Sequence, residues 1–438
     1  MRRRHWWAIG LIWTGSTLGV AAGRAEPDAP LPAMLDLATA ESIAVAHQPT
    51  ILAALLRTRE AGQQIREARA GYMPVVAFNA TGVRTADVGT AIAAGNITTS
   101  AISDRFAYGG ALNQLVTDFG RTSALVSTQK FLAEAQKDLA TLSRAQVRLG
   151  LRSAFYGVLG AEAVQRAAEA ARDDRQLLAR QATSLAQSQI RSTLDVDFAN
   201  VLTSEAELAV VHARAAVARE RAALATAMGL RQPVSVPLSD VGLPASVPPE
   251  DPEGLIANAQ AQRADLAATT ARQRSAAEFA RSEKRLSNPS VNLLAAAGQL
   301  PYHDSTLHNN YAAVGVNLNI PIFNGGLFAA RQQRAKIEAD AQAREVDAAE
   351  LKVGEEVRDA WYRSRETYQS MAVTDRLVAQ CRRALRLAQD RYESGLGSIL
   401  EVNQAQLQQT SAEIQEADAK YAYLAACAEL DFASGMMN

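Results

Sequence analysis

Between Tyr311 and Ile320 the chain alternates strictly. Ala312, Val314, Val316, Leu318 and Ile320 are apolar, while Tyr311, Ala313, Gly315, Asn317 and Asn319 are small, amide-bearing or phenolic. A period of two predicts a strand with one apolar face, which suits a barrel wall between lipid and water and equally a half-buried strand of a soluble sheet. Three further strand-like runs lie near residues 74–83, 105–116 and 289–297. The rest is helical in pattern. One helix is expected from about Asp36 to Ala70 and another from about Pro252 to Leu286, each ending before a proline, Pro74 or Pro289. After Asp118-Phe119-Gly120 and Asn324-Gly325-Gly326 run polar, Ala-rich stretches without proline, ending near Gln189 and Gly395. At about 70 residues, each would be a helix of roughly 105 Å. A return helix of about half that length follows each turn, about Ser192 to Met228 and Ser398 to Ala433.

The pattern occurs twice. A shift of 206 residues places Phe155-Tyr156 on Trp361-Tyr362, Ser192 on Ser398, Leu194 on Leu400, Asp195 on Glu401 and Gly229 on Gly435. Upstream the shift becomes 215, with Ile51 on Leu266 and Pro74 on Pro289. The expected organisation is residues 1–25 as a leader, 26–34 as a Pro-rich segment, 35–230 as repeat 1, 231–252 as a Pro-rich linker and 253–438 as repeat 2. Two half-length helices, a return helix and the opening helix of the other unit, would together match one long helix. This predicts a cylinder whose wall mixes continuous and two-piece rods.

Spacing within the hairpins is of coiled-coil type. Val378, Cys381, Leu385, Ala388 and Tyr392 step by three and four, and Leu400, Leu407, Ile414, Tyr421 and Ala428 recur every seven. Leu194, Val201, Leu208, Ala215 and Ala222 repeat this in the first unit, and these stripes are expected to form the hairpin seams. Many seam positions are Ala, Ser or Gln, so one chain buries little and lateral partners are expected. Four strands cannot close a membrane barrel, whereas three copies would supply twelve.

Composition narrows the class. Hydrophobic types make up 48% but aromatics only 5%, which suits close-packed long helices rather than a bulky core. Arg2-Arg3-Arg4, the apolar run Trp6 to Val20 and the small residues to Ala25 read as a secretory leader. No later window is apolar enough for a spanning helix, so any crossing of a bilayer would be by strands. The net charge is −1, and −5 without residues 1–25, which argues against nucleic acid as a partner. The cysteines, Cys381 and Cys427, fall at different heights of one hairpin and are expected to be free thiols. No nucleotide loop, zinc-protease motif or nucleophile elbow is present, so no enzyme activity and no cofactor are expected. His303, Asp304 and His308 could ligate a metal, but they read better as a solvated loop.

The sum of leader, duplicated strand pairs and paired long helices resembles the outer-membrane efflux protein family of TolC-like channel-tunnels. The resemblance covers about residues 35–435 and rests on Pro74 and Pro289, the turns at Gly120 and Gly325-Gly326, and the tip motif from Arg391 through Ser398 to Ala405. Unit 1 keeps Ser192-Thr193-Leu194-Asp195-Val196 but has Gln189 and Arg191 where unit 2 has Gly395 and Gly397. The resemblance implies an α+β, mainly α, duplicated long-helix coiled-coil barrel. Each chain would add four strands to a trimeric, twelve-stranded outer-membrane β-barrel. It implies a homotrimer in outer-membrane lipid with its tunnel in the periplasm, working with a periplasmic adaptor and an inner-membrane pump. Small toxic molecules, metal ions and secreted polypeptides all use such ducts. The rival reading is a soluble periplasmic coiled-coil or adaptor-like protein.

At the tips, Ser192 with Asp195 and Ser398 with Glu401 fit the capping box, and their acids, with Asp197, would also form an acidic constriction. Asn403, the counterpart of Asp197, is an amide. Tyr392, Arg391 and Asp195 are candidate members of a lock between neighbouring coils, or Tyr392 packs in the seam. The resemblance places an Arg just after the tip glycine, where this chain has Gly397, and Arg191 is a possible substitute. Gly395, Leu396, Gly397, Ser398 and Ser192 form the tip expected to meet the adaptor. Phe155, Tyr156, Trp361 and Tyr362 are expected to pack where the wall meets the equatorial helices.

Overall fold

The computed structural model describes residues 31–84, 105–189, 192–243, 249–303 and 308–438. The leader reading of residues 1–25 lies outside them. In chain order the elements are α1 (Leu37–His47), α2 (Pro49–Ala70), β1 (Val75–Val83), β2 (Arg105–Thr117), α3 (Arg121–Gln187) and α4 (Thr193–Met228). The second repeat follows as α5 (Glu253–Gln262), α6 (Ala264–Lys284), β3 (Ser290–Tyr302), β4 (Asn310–Asn319), α7 (Leu327–Glu393) and α8 (Ile399–Ala433). The long helices α3 and α7 have 67 residues each, about 100 Å. Gly120 and Gly326 precede them at φ 90° and 81°, a left-handed backbone that glycine adopts without a Cβ clash.

Each expected opening helix is two helices. Gln48 breaks the first at φ −66°, ψ 118°, because Pro49 disfavours a helical residue before it. Arg263 breaks the second at φ −65°, ψ 125°, although Ala264 follows it. The buried Arg263 guanidinium sits between Asp265 (2.6 Å) and Glu356 (2.6 Å) and donates to the carbonyl of Ala433 (3.4 Å). These bonds hold the kink that proline holds in the first repeat.

Both breaks are butt joints. Gln48 Nε2 donates to the carbonyls of Thr226 and Ala227, both at 3.1 Å, so it caps the end of α4. A side chain on Gly229 would meet Gln48 Cα at 3.0 Å, and one on Gly435 would meet Arg263 N at 3.4 Å. The two-piece rods are therefore α2 with α4 and α6 with α8. Each return helix is completed by the opening helix of its own unit, not of the other one as expected. The joints stand at one height beside α3: Gln146 and Gly150 line the space at Gln48 and Ala227, and Arg148 donates to the carbonyl of Met437 (2.9 Å).

The hairpin seams have the expected period in a different phase. Ala199, Ala206 and Ala213 are buried in α4, and their counterparts Ala405, Ala412 and Ala419 are buried in α8. Leu194, Val201 and Leu208 are each 56% exposed, and Leu400 and Leu407 are 70% and 41% exposed. Only Tyr421 and Ala428 of the expected return stripes are buried, where α8 also packs on α3. Alanine wins the seam because it lets the helix axes approach. The larger side chains are left on the flank of the hairpin. On α7, Val378, Leu385 and Tyr392 are buried as expected.

The largest core lies at the joint level, where Leu151, Phe155, Tyr156, Leu224, Met228 and Leu424 pack together. Trp361 is buried in the equivalent cluster and donates from Nε1 to the carbonyl of Pro249 (2.8 Å), while Tyr362 is exposed. The N-terminal and linker segments pair here, through Leu35 N to Pro237 O (3.0 Å) and Ser239 N to Leu35 O (2.9 Å).

The strands form one antiparallel sheet, ordered β1-β2-β3-β4. Its register puts Val76, Phe78, Leu112, Leu293, Val314 and Val316 on one face. Asn79, Asn113, Asn292 and Asn317 share the other. On that amide face Gly109 and Gly298 lie under the Tyr311 hydroxyl, where any side chain would collide. Among the described residues the outer edges of β1 and β4 have no partner strand.

Candidate functional site at the hairpin tips

The tips of α3–α4 and α7–α8 carry the residues singled out in the sequence. In the second hairpin the chain turns on α7's own last carbonyls. Leu396 N and Gly397 N both donate to Arg391 O (2.8 and 2.9 Å), and Gly395 N donates to Tyr392 O (3.1 Å) at φ 75°. Gly397 passes so close that a Cβ there would stand 3.0 Å from Arg391 Cβ and 3.1 Å from Tyr392 N. The glycine found where an arginine was expected thus has a steric reason. Leu396 stands fully out, 76% exposed, beside the exposed Ser398.

Ser398 Oγ accepts from Glu401 N (3.3 Å) and Ser192 Oγ accepts from Leu194 N (3.1 Å), so both serines cap their helices. The Glu401 carboxylate lies against Arg391 Nε at 3.5 Å, which makes Arg391 the residue that spans this tip. Arg391 Nη2 also donates to Leu396 O (3.3 Å). Tyr392 is buried with Leu178, Leu385, Ile399, Val402 and Ala405, so its ring packs in the seam. Asp195 is half-buried and Asp197 exposed, both on the other hairpin. Arg191 lies outside the described residues.

Sequence reasoning confined the site to the turns and missed the contribution of α3. A groove of about 900 Å³ runs between α3 and the α7–α8 tip, lined by Asp174, Leu178 and Gln181 on one side and by Tyr392, Gly395 and Gln406 on the other. Its signal in the sequence is weak, because Asp174 and Gln181 look like ordinary positions on a solvated helix face. Burial, then Glu413 and Asp173, push the Asp174 carboxyl above its usual range. Asn403 and Gln406 are buried beside the groove, and Asn403 Oδ1 and Gln406 Oε1 have no hydrogen-bond partner among the described residues. Burial explains the amide at 403, since a carboxylate there would be desolvated, while its counterpart Asp197 reaches water.

Among the described residues no group of three metal-ligating side chains converges. His303 Nε2 bonds Asn309 Oδ1 at 2.7 Å, and Asp304 lies outside the described residues. Cys381 and Cys427 are half-buried and not joined to each other. No described helix is long and apolar enough to cross a membrane.

Residues 42–230 and 255–436 match the sequence profile described as "Outer membrane efflux protein". Outer membrane efflux protein BepC of Brucella suis is 28% identical over 254 residues, a match spanning 57% of this chain and 56% of BepC. Protein CyaE of Bordetella pertussis is 27% identical over 451 residues, covering 94% of this chain and 91% of CyaE. The outer membrane protein VceC of Vibrio cholerae has the same fold, with a TM-score of 0.79 at 19% identity over 91% of this chain and 96% of VceC.

Proposed function

Because the chain belongs to the outer membrane efflux protein family, we propose that three copies assemble into a channel-tunnel. It serves as the exit duct of a tripartite efflux or type I secretion system. The observation that carries this reading is the open four-stranded sheet standing on 67-residue helices. One face of the sheet is apolar and, among the described residues, both edges lack partners, so one chain cannot satisfy the backbone in lipid, whereas three close a twelve-stranded wall. The helices then continue the bore through the periplasm.

The duct is passive. Family and fold are those of channel proteins rather than enzymes, and energy enters through an inner-membrane pump linked by a periplasmic adaptor. The exposed tip at Ser192, Gly395, Leu396, Gly397 and Ser398 is the docking surface for that adaptor. Closure is the work of Arg391 and Glu401 with the seam residue Tyr392. Asp195, Asp197 and Glu401 supply the negative charge at the entrance, with Arg191 as a counter-charge. The soluble periplasmic alternative leaves the apolar face of Phe78, Val314 and Val316 bare in water, at 73%, 79% and 70% exposure.

Fractionation tests the reading. A trimer in outer-membrane fractions that resists detergent until heated, and that conducts ions in planar bilayers, is expected. Recovery as a soluble periplasmic protein would refute it.

A further inference from the structure

Four basic positions recur in both repeats at the sheet end of the helical wall. Arg57, Arg59, Arg66 and Arg69 on α2 precede Arg272, Arg274, Arg281 and Lys284 on α6 by 215 residues, and all are exposed. The acids among them do not recur: Glu60 and Glu67 correspond to Ser275 and Ser282, and Glu278 and Glu283 to Gln63 and Ala68. Among the described residues Arg59, Arg69, Arg274 and Lys284 enter no ion pair, while Arg281 meets Glu278 at 2.5 Å. The helix dipole accounts for cations in the last turn, Arg69, Arg281 and Lys284. It does not reach Arg59 or Arg274, about 15 Å further back.

These cations divide between two surfaces. Arg57 and Arg272 line a groove of about 350 Å³ over Leu132, Ala135 and Gln136 of α3. There α2 and α6 rise on both sides of α3, and in the proposed cylinder this face lines the bore. At about 100° per residue, Arg59 and Arg274 point some 200° away from Arg57 and Arg272, and Arg66 and Arg281 follow seven residues on. Arg69 and Lys284 stand about 120° from Arg57 and Arg272, so in the proposed tube six cations per chain lie off the bore. Beyond the last turns of α2 and α6, where helices become strands, Met73, Phe119, Ile322, Phe323 and Leu327 are exposed, Ile322 and Phe323 at 94% and 88%. An apolar belt immediately beyond a cationic one marks the edge of a bilayer.

We propose that this outer collar binds the anionic headgroups of phospholipids in the periplasmic leaflet, fixing the height of the tube in the membrane. The inference rests on the membrane reading above. Its test is the lipid retained by the detergent-purified full chain after exposure to equal amounts of phosphatidylethanolamine and phosphatidylglycerol, counted by native mass spectrometry. Several-fold retention of phosphatidylglycerol is expected. It should fall to parity in a variant carrying R59Q, R66Q, R69Q, R274Q, R281Q and K284Q, and persist in R57Q/R272Q. Parity in the parent, or an unchanged preference in the six-site variant, overturns the collar. If that variant fails to assemble, salt decides: a preference surviving ~0.5 M salt is not charge-based and also overturns it. A chain that retains neither phospholipid and fractionates as a soluble protein overturns the membrane reading instead.

Discussion

Arg263 Nη1 lies 2.6 Å from Glu356 Oε2, so the break between α5 and α6 is pinned to the middle of α7. The guanidinium is 7% exposed and its carboxylate partners, Asp265 and Glu356, are 34% and 37% exposed. Removing the arginine strands two part-buried acids and uncaps α8. Arg263→Ala should cost about 3 kcal/mol, the lower end of the range for a broken buried pair because both acids reach some water. The trimer's heat resistance in detergent, compared with that of Arg344→Ala at an exposed pair, measures it.

Two part-buried carboxyls should give opposite contributions to the pH dependence of stability. Burial raises the Asp431 carboxyl above 3.8, more than Arg152 lowers it, so its protonation favours the fold and that contribution is lost as pH rises through the raised value. Burial also acts to raise Asp265, but the hydrogen bonds and charge of Arg263 outweigh it and leave the carboxyl below 3.8. Its contribution is present above the unfolded value and lost as pH falls through the lowered one. Melting curves from pH 7 to about pH 2 should show both limbs. Asp431→Asn should flatten the upper limb and Asp265→Asn the lower.

The two repeats should respond unequally to Asn/Asp exchange at one equivalent position. Asn403→Asp puts a carboxylate into a site 6% exposed and should cost about 2 kcal/mol at neutral pH, recovering in acid as it protonates. Asp197→Asn, at its exposed counterpart, should change stability by under about 0.5 kcal/mol. Thermal melts of both variants at two pH values separate the cases.

At the tip, Gly397→Ala should loosen the turn by about 1 kcal/mol, since the new Cβ meets Arg391 and Tyr392 at 3.0–3.1 Å. The amides of Leu396 and Gly397, which share the Arg391 carbonyl, should lose hydrogen-exchange protection first. Bilayer conductance should rise with it. Unchanged exchange and unchanged conductance would mean that this turn does not hold Arg391 in the closing contact with Glu401.

The stripe of Leu194, Val201 and Leu208 should matter between chains and not within one. Val201→Ser with Leu208→Ser should lower the temperature at which trimer separates into monomer while leaving helix content intact. Ala206→Leu, in the seam itself, should instead overpack the hairpin and cost about 1–3 kcal/mol.

These cases mark what could be read in the sequence. Strict alternation at Tyr311–Ile320 and proline-free stretches of about 70 residues show directly, because strand faces and helix continuity are local properties. The heptad period was equally plain, but its phase was not: the larger residues drew the seam to Leu208, whereas axis distance gives it to Ala206. Pro49 is a local signal for the first joint that the single helix expected over Asp36 to Ala70 passes over, while Arg263 carries no local helix-breaking signal, since its kink is held by Glu356 and Ala433, far away in sequence. The groove was hidden for the same reason, since α3 reaches the second hairpin only through tertiary packing.

The level joints at Gln48 and Arg263 have a mechanical consequence. Among the described residues only α3 and α7 run across that level as unbroken beams. Any twist that a docked protein applies at the far end must be carried past it by those two helices. The jointed staves can pivot there, and the sheet end need not turn.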